Sequence, residues 1–180
     1  CLNLDFNQLL HQLPDEFSQM HNLTYLSMKN NMLYDLPSSL WSCTMLIEID
    51  FSHIIEYPEI LEDSVEYMEG KRLNELSSKI WQLHNLEVLI IHDTSMTYLP
   101  DEIGNLYSLT SLEISMSKLE SIPQSMRKTP SLVKLDFSVN KLKNISPGFL
   151  SSLSLKHLNL DCNYLVELPK ELSYMQSLTH

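Results

Sequence analysis

The stretch LVKLDFSVNKLKNI, residues 132–145, decides the fold of this chain. Its apolar residues follow a fixed spacing, with Leu132 followed by Leu135, Phe137 and Leu142, and with Asn140 placed before the last of them. The same spacing returns at residues 155–169 as LKHLNLDCNYLVELP and at residues 23–37 as LTYLSMKNNMLYDLP. A pattern that returns in register predicts a stack of equivalent structural units, each too small to bury its own apolar face.

The first leucine of the pattern marks the period of the stack. It recurs every 23 residues, except for one interval of 40, at Leu23, Leu46, Leu86, Leu109, Leu132, Leu155 and Leu178. Within each unit the leucines on either side of one polar residue alternate with period two, which predicts a short strand. The asparagine that follows is expected to bond backbone groups where the chain leaves the strand, with Thr94 and Ser117 replacing it in two units.

The long interval contains 17 extra residues, which we place as an acidic insertion at about residues 53–70. It carries six acidic residues before the first basic one, Lys71; they are Glu56, Glu59, Glu62, Asp63, Glu66 and Glu69. One interpretation is an acidic ridge that binds a basic partner. The other, which we favour, is a degenerate repeat whose charges are simply solvated.

The spacing L-x-x-L-x-L-x-x-N-x-L resembles that of the leucine-rich repeat family over nearly the whole chain. The resemblance implies an α/β solenoid, a right-handed horseshoe with a parallel β-sheet on the concave side and irregular, 3-10 or short helical segments on the convex side. We expect residues 1–180 to form a single array of about seven repeats plus partial ends. Because neither terminal cap is visible, we also expect the chain to be a piece of a longer protein.

The composition excludes several classes of protein. The net charge of −11 argues against nucleic acid and anionic membrane surfaces as partners, since phosphates would be repelled. No apolar run approaches the roughly 18–20 residues that span a bilayer, so no membrane insertion is expected. Cys1, Cys43 and Cys162 show neither metal-binding spacing nor a disulfide framework, which favours a reducing, cytoplasmic compartment.

The polar positions of the predicted strands would line the concave face, which repeat proteins of this kind use for binding. Val88 and Ile90 are apolar there, in the middle of the array, with Glu48, Asp50 and Glu113 around them. We take Asp50 and Glu113 to be solvent-facing, and an apolar centre with a charged rim is typical of a protein-binding site. The candidate protein-binding residues are Tyr25, Lys29, Glu48, Asp50, Val88, Ile90, His92, Glu113, Lys134, Asp136 and His157.

We expect no catalytic site, no cofactor and no metal. Neighbouring strands would place Ser52, His92 and Ser115 in one row, with Asp93 beside it, but nothing in the sequence supplies an oxyanion hole for a triad. His53, His92 and Asp93 lack the spacing of a metal site. Polar residues exposed on strands explain both sets without chemistry.

The 23-residue period and the Leu-Pro-x-x-Leu return resemble the intracellular Ras-group leucine-rich repeat proteins, which include Scribble-type scaffolds. That resemblance implies a non-enzymatic scaffold or adaptor in intracellular signalling, whose partner protein has a basic surface and is a small GTPase or a phosphatase complex. The alternative is the sensing or regulatory region of a larger intracellular immune receptor or of a repeat-containing kinase. A secreted receptor ectodomain is a third hypothesis, which predicts cysteine-rich caps.

Overall fold

Each leucine–x–leucine alternation forms a short strand, and the strands pair in chain order. The computed structural model describes residues 1–7, 10, 12–31, 33, 35–52, 73–150 and 155–179. Within these ranges seven strands form one parallel sheet whose spatial order is the sequence order. They are β1 (Leu2–Asn3), β2 (Tyr25–Ser27), β3 (Glu48–Asp50), β4 (Val88–His92), β5 (Ser111–Ser115), β6 (Lys134–Asp136) and β7 (His157–Asn159). The predicted solenoid is confirmed.

The register of the sheet follows the leucine period without a slip. The central residue of each strand pairs with that of the next, in the order Leu2, Leu26, Ile49, Leu89, Leu112, Leu135 and Leu158. Strand β3 pairs directly with β4, so the 40-residue interval leaves the ladder continuous. The acidic insertion itself, at residues 53–70, lies outside the described residues.

The inward side chains of successive coils form one continuous core. Ile49, Leu89, Leu112 and Leu135 are fully buried, because each of their strands has a paired strand on both sides and the convex segment of its own coil beneath it. Apolar side chains of the convex side also enter this core. Leu40, Ile80, Ile103, Met126 and Phe149 are buried, and Leu172 packs against them while partly exposed.

On the convex side, the chain passes from one strand to the next through short 3-10 helices. They span Asp15–Gln19, Ser38–Ser42, Ser78–Gln82, Asp101–Asn105, Gln124–Lys128 and Lys170–Tyr174, while Pro147–Leu150 forms one turn of α-helix. In five of the 3-10 turns the preceding residue is a proline with φ between −68° and −63°, the angle that its ring imposes. A Leu-Pro or Ile-Pro step therefore precedes five of the six described 3-10 turns, and Ser77 takes the place of the proline before Ser78–Gln82. No helix in the described part of the chain is long and apolar enough to cross a membrane.

The asparagines after the strands satisfy buried backbone groups. Asn140 Nδ2 donates to the carbonyl oxygens of Ile114 and Phe137 at 2.8 and 3.1 Å, and Asn140 Oδ1 accepts from Leu119 N at 3.0 Å. Asn31 and Asn163 make equivalent bonds to the preceding coil. Where Thr94 and Ser117 replace asparagine, their hydroxyls bond to each other at 2.8 Å. The predicted role of this position is confirmed.

Candidate functional site

The concave positions lie in the rows that the sequence predicts. The position between the two inward residues pairs across all seven strands, in the order Asn3, Ser27, Asp50, Ile90, Glu113, Asp136 and Asn159. The position two residues earlier on each strand, just before the first inward residue, pairs in the order Tyr25, Glu48, Val88, Ser111, Lys134 and His157. Parallel pairing at about 4.8 Å between strands makes each row a continuous line of side chains on one surface.

The apolar centre of this surface is formed by β4. Val88 and Ile90 are both half-buried, and they pair with Glu48 and Asp50 on one side and with Ser111 and Glu113 on the other. Two aliphatic side chains on the same strand, two residues apart, share one face of the sheet. They provide an apolar strip in the middle of an otherwise polar ladder, which is the arrangement of a small binding site with a polar rim.

Asp50 differs from its expected state, because it is buried rather than solvent-facing. Only 2% of it is exposed. Its Oδ2 pairs with Lys29 Nζ at 3.0 Å and its Oδ1 accepts from Ser52 N at 2.9 Å. The hydrogen bond to Asp50 also raises the pKa of Lys29 above its ordinary value, which favours the charged form of the lysine. A buried carboxylate needs such partners, and Lys29 supplies the charge. Asp50 is thus part of the scaffold of the surface.

Glu113 and Lys134 form a second ion pair, across β5 and β6. Glu113 Oε1 lies 2.8 Å from Lys134 Nζ, and it also accepts from Ser111 Oγ at 3.1 Å. The Glu113 side chain is only 18% exposed. The charges of Asp50 and Glu113, on either side of the Val88–Ile90 strip, are therefore matched within the protein, which lowers the negative field that the sequence suggests there.

Asp136 anchors the sheet beyond that pair. Its Oδ1 accepts from Ser138 N at 2.9 Å and from Ser138 Oγ at 2.7 Å, and its Oδ2 accepts from Asn159 Nδ2 at 3.0 Å. Burial acts to raise the pKa of Asp136, but the hydrogen bonds from Ser138 and Asn159, with a contribution from His92, lower it below its ordinary value overall. Asp136 is thus an ionised, well-bonded part of the concave surface at neutral pH.

The row of hydroxyls and imidazole that could suggest a triad is only partly assembled. Ser115 Oγ and His92 Nδ1 are 2.7 Å apart, a cross-strand hydrogen bond between β5 and β4. Ser52, however, is only 2% exposed and cannot contact a substrate. His53, which belongs to the metal hypothesis, lies outside the described residues, and no group of three or more ligating side chains within the described ranges could hold a metal ion.

The two outer members of the candidate set lie toward the ends of the array. Tyr25 is half-buried on β2, in register with Glu48. His157 is exposed on β7, in register with Lys134. The sequence predicts the row of both residues correctly. It missed the Lys29–Asp50 pair, because Lys29 lies two residues beyond Ser27, the register partner of Asp50, and the contact depends on side-chain conformation.

Comparisons with known proteins agree with this geometry. Family models described as leucine-rich repeats match residues 107–165, and residues 1–20 and 22–43. The Disease resistance protein RPS5 of Arabidopsis thaliana is 33% identical over 60 residues, which is 33% of this chain and 7% of that protein. The chain therefore spans a small part of the length of that relative.

Two solved structures are similar over nearly the whole chain. A leucine-rich repeat protein of Leptospira interrogans has a TM-score of 0.80 and 26% identity, covering 98% of this chain and 41% of that one. The leucine-rich repeat domain of the type III effector XopL has a TM-score of 0.70 and 30% identity, covering 94% of this chain and 55% of that one. Since the family matches together cover more than half of the residues and fall on coils of the observed sheet, this chain belongs to the leucine-rich repeat family.

Proposed function

We propose that this chain is a non-enzymatic protein–protein interaction module that binds a partner protein on its concave face. The observation that carries the proposal is the Val88–Ile90 strip, two half-buried aliphatic side chains on the central strand of the sheet. Covering such a strip removes apolar surface from water, which is the dominant favourable contribution in most protein–protein association. The leucine-rich repeat family supports a protein as the partner, since its coils expose an extended concave surface.

The charge of the concave face favours a partner with an apolar anchor and basic groups at its rim. Asp50 and Glu113 are already paired with Lys29 and Lys134, so they contribute little net field. Glu48, which is half-buried next to Val88, remains as an acidic group beside the strip. A basic side chain of the partner would therefore contact Glu48 while an apolar one covers Val88 and Ile90.

The cellular role that we propose is that of a scaffold or adaptor in cytoplasmic signalling. Support for it comes from the 23-residue period and the Leu-Pro-x-x-Leu return, which are similar to those of intracellular scaffolds. The same resemblance is the support for a small GTPase or a phosphatase complex as the partner.

A second candidate role is the sensing or regulatory region of a larger immune receptor. It is favoured by the 33% identity with the Disease resistance protein RPS5 over 60 residues. The two roles differ outside this chain. A phosphate-binding loop, G-x-x-x-x-G-K-S/T, upstream in the full reading frame would support the receptor, and its absence would support the scaffold.

Binding on the concave face is tested with Ile90→Lys, which places a charge on the apolar strip. Its control is Ile47→Lys, an identical change at an exposed isoleucine just before β3. Partners captured from an extract by the wild-type chain are purified, and their affinities for both variants are measured by calorimetry. We expect Ile90→Lys to weaken binding by at least about tenfold, as for a hot-spot residue, and Ile47→Lys to leave it unchanged. Equal affinity of Ile90→Lys and the wild-type chain would remove the concave face as the binding site.

A further inference from the structure

The charges of this chain are distributed unevenly along the stack. Residues 1–110 hold 17 acidic and four basic residues, whereas residues 111–180 hold six acidic and eight basic ones. The net charge of −11 therefore hides a C-terminal part that is slightly positive. The lysines of this part do not all lie on the concave sheet, and three of them are gathered where the chain leaves β5 and β6.

We name this surface the basic flank and define it as Met116, Lys118, Val139, Lys141, Lys143 and Tyr164. Backbone bonds fix its rows. Met116 N donates to Ser138 O, next to Val139, at 3.1 Å, and Lys141 N donates to Leu119 O, next to Lys118, at 2.8 Å. Tyr164 N in turn donates to Leu142 O, next to Lys141, at 2.9 Å. Equivalent side chains of three successive coils thus stand side by side.

The apolar members of the basic flank occupy an unfavourable backbone conformation. Met116 and Val139 have φ of 52° and 54°, in the left-handed region that favours glycine, asparagine and aspartate. The equivalent residues of the other described coils adopt the same conformation; Asn30 and Asp93 tolerate it, whereas Phe6 and Cys162 do not. Met116 is nevertheless 55% exposed and Val139 is 45% exposed. Met116 and Val139 therefore neither suit the backbone conformation at their positions nor bury their side chains in the core.

The lysines of the basic flank are available for a partner. Lys118, Lys141 and Lys143 are all exposed, and within the described ranges they make no ion pair with an acidic side chain. Acidic residues adjoin the flank: Glu120 occupies the position in its coil that Lys143 occupies in the next one, and Val139 N donates to Asp161 O at 2.8 Å. Three cations around two exposed apolar side chains and Tyr164 complement a segment that alternates acidic and apolar residues.

We propose that the basic flank is a second protein-binding surface, which takes an acidic segment of a partner protein with an apolar side chain seated between Met116 and Val139. A protein segment fits better than a nucleic acid because the centre of the flank, Met116 and Val139, is not aromatic, whereas single-stranded nucleic acids bind by stacking their bases on aromatic side chains. The proposal is independent of the concave face, which it leaves free for the first partner.

The test measures binding of fluorescent synthetic probes to the whole chain by anisotropy. The probes are peptides in which glutamates alternate with leucines, the same peptides with serine in place of leucine, and a single-stranded DNA oligomer. We expect the glutamate–leucine peptides to bind, the serine versions to bind at least about fivefold more weakly because their apolar anchor is gone, and the DNA not to bind.

Two matched charge variants locate the binding. The flank variant is Lys118→Glu with Lys141→Glu and Lys143→Glu. The control is Lys79→Glu with Lys128→Glu and Lys170→Glu, three exposed lysines of the convex turns, so that both have the same net charge. We expect the flank variant to lose at least about tenfold in affinity and the control to lose less than about twofold. Equal losses, tighter binding of DNA than of peptide, or no binding of any acidic peptide would overturn the proposal.

A further variant separates binding from folding. Val139→Asn places a residue that tolerates positive φ where valine is strained, so the melting temperature should stay the same or rise. Peptide affinity should nevertheless fall by several-fold, because the apolar contact is lost. Unchanged affinity of Val139→Asn would overturn the apolar part of the proposal. Ile90→Lys should leave peptide binding unaltered, which keeps this result distinct from that of the concave face.

Discussion

At the scale of single residues, the polar groups of the concave face serve two different purposes. Asp50 and Asp136 hold backbone and neighbouring side chains in place, whereas Val88 and Ile90 present apolar surface to solvent. Alternation along a strand predicts which face a residue occupies, but it does not predict burial on that face. Asp50 is buried and paired with Lys29, which follows β2, and this contact depends on side-chain conformation as well as on spacing.

Replacing Asp50 by alanine should destabilise the fold substantially. Its loss leaves the buried Ser52 N–H without its carboxylate acceptor and Lys29 without its counter-ion, which costs about 2–4 kcal/mol of the free energy of unfolding. The more exposed pair is the control. Glu113→Ala should cost less than about 1 kcal/mol, as is usual for ion pairs near the surface. Urea unfolding followed by circular dichroism measures both, and similar costs for the two variants would contradict the scaffold role of Asp50.

Asp136 should contribute to the dependence of stability on pH. Its pKa in the folded state is lowered relative to the unfolded chain, so it stabilises the fold at neutral pH. That contribution is lost as the pH falls below the unfolded value and through the folded one. Asp136→Asn should therefore reduce the decline of the free energy of unfolding between about pH 5 and pH 2. Asp101→Asn, at an exposed residue of a convex turn, is the control; an undiminished decline in Asp136→Asn would contradict the assignment.

At the scale of the coil, a buried asparagine follows β2 and β6 and closes the ends of those strands. Asn140 is only 4% exposed and bonds to three carbonyl oxygens and one N–H group. Serine and threonine fill the same place in two other coils by bonding to each other. This was predictable, because a turn leaving a buried strand must satisfy backbone groups and an amide side chain both donates and accepts.

Asn140→Ala should cost about 2–4 kcal/mol of the free energy of unfolding, since several buried backbone groups lose their partners together. Asn7 is the matched control. It is exposed and its Nδ2 donates to the carbonyl oxygens of Leu4 and Asp5, so Asn7→Ala should cost less than about 1 kcal/mol. Chemical unfolding measures the free energy of unfolding of both variants. A cost for Asn7→Ala as large as that for Asn140→Ala would contradict the role of burial.

The convex turns depend on one glycine in a way that the repeat pattern does not reveal. A Cβ atom added to Gly104 would overlap the backbone carbonyl of Ser125 in the next turn. Other coils carry Trp41, Trp81 and Arg127 at the equivalent position. The repeat therefore predicts that a side chain is accepted there, and only the close approach of the two turns shows that it is not.

Gly104→Ala should destabilise the array by about 1–3 kcal/mol, because two packed turns must separate. Gly148→Ala is the control, since a Cβ atom there meets only Ser146 Oγ at 4.0 Å. The control should be neutral within about 0.5 kcal/mol. Thermal unfolding compares them, and a neutral Gly104→Ala would show that the turns are not in close contact in solution.

At the scale of the whole molecule, the leucine period determines the order, direction and register of the sheet. The pairing of β3 with β4 across the 40-residue interval is the clearest case, because the ladder resumes in register on the far side. The rows of the concave face were predictable for the same reason. The pairing of charges on the concave face was not predictable, and neither was the exposure of the basic flank. Both depend on side-chain contacts between coils that are about 23 residues apart in sequence.

The central claim is that the Val88–Ile90 strip contacts a partner protein. Photo-cross-linking tests it directly, with a benzophenone amino acid at position 90 and, as the reference, at position 107, where Tyr107 is exposed outside the sheet. We expect a covalent adduct with the partner from position 90, which excess wild-type chain suppresses, and none from position 107. An adduct from position 107 with none from position 90 would contradict it.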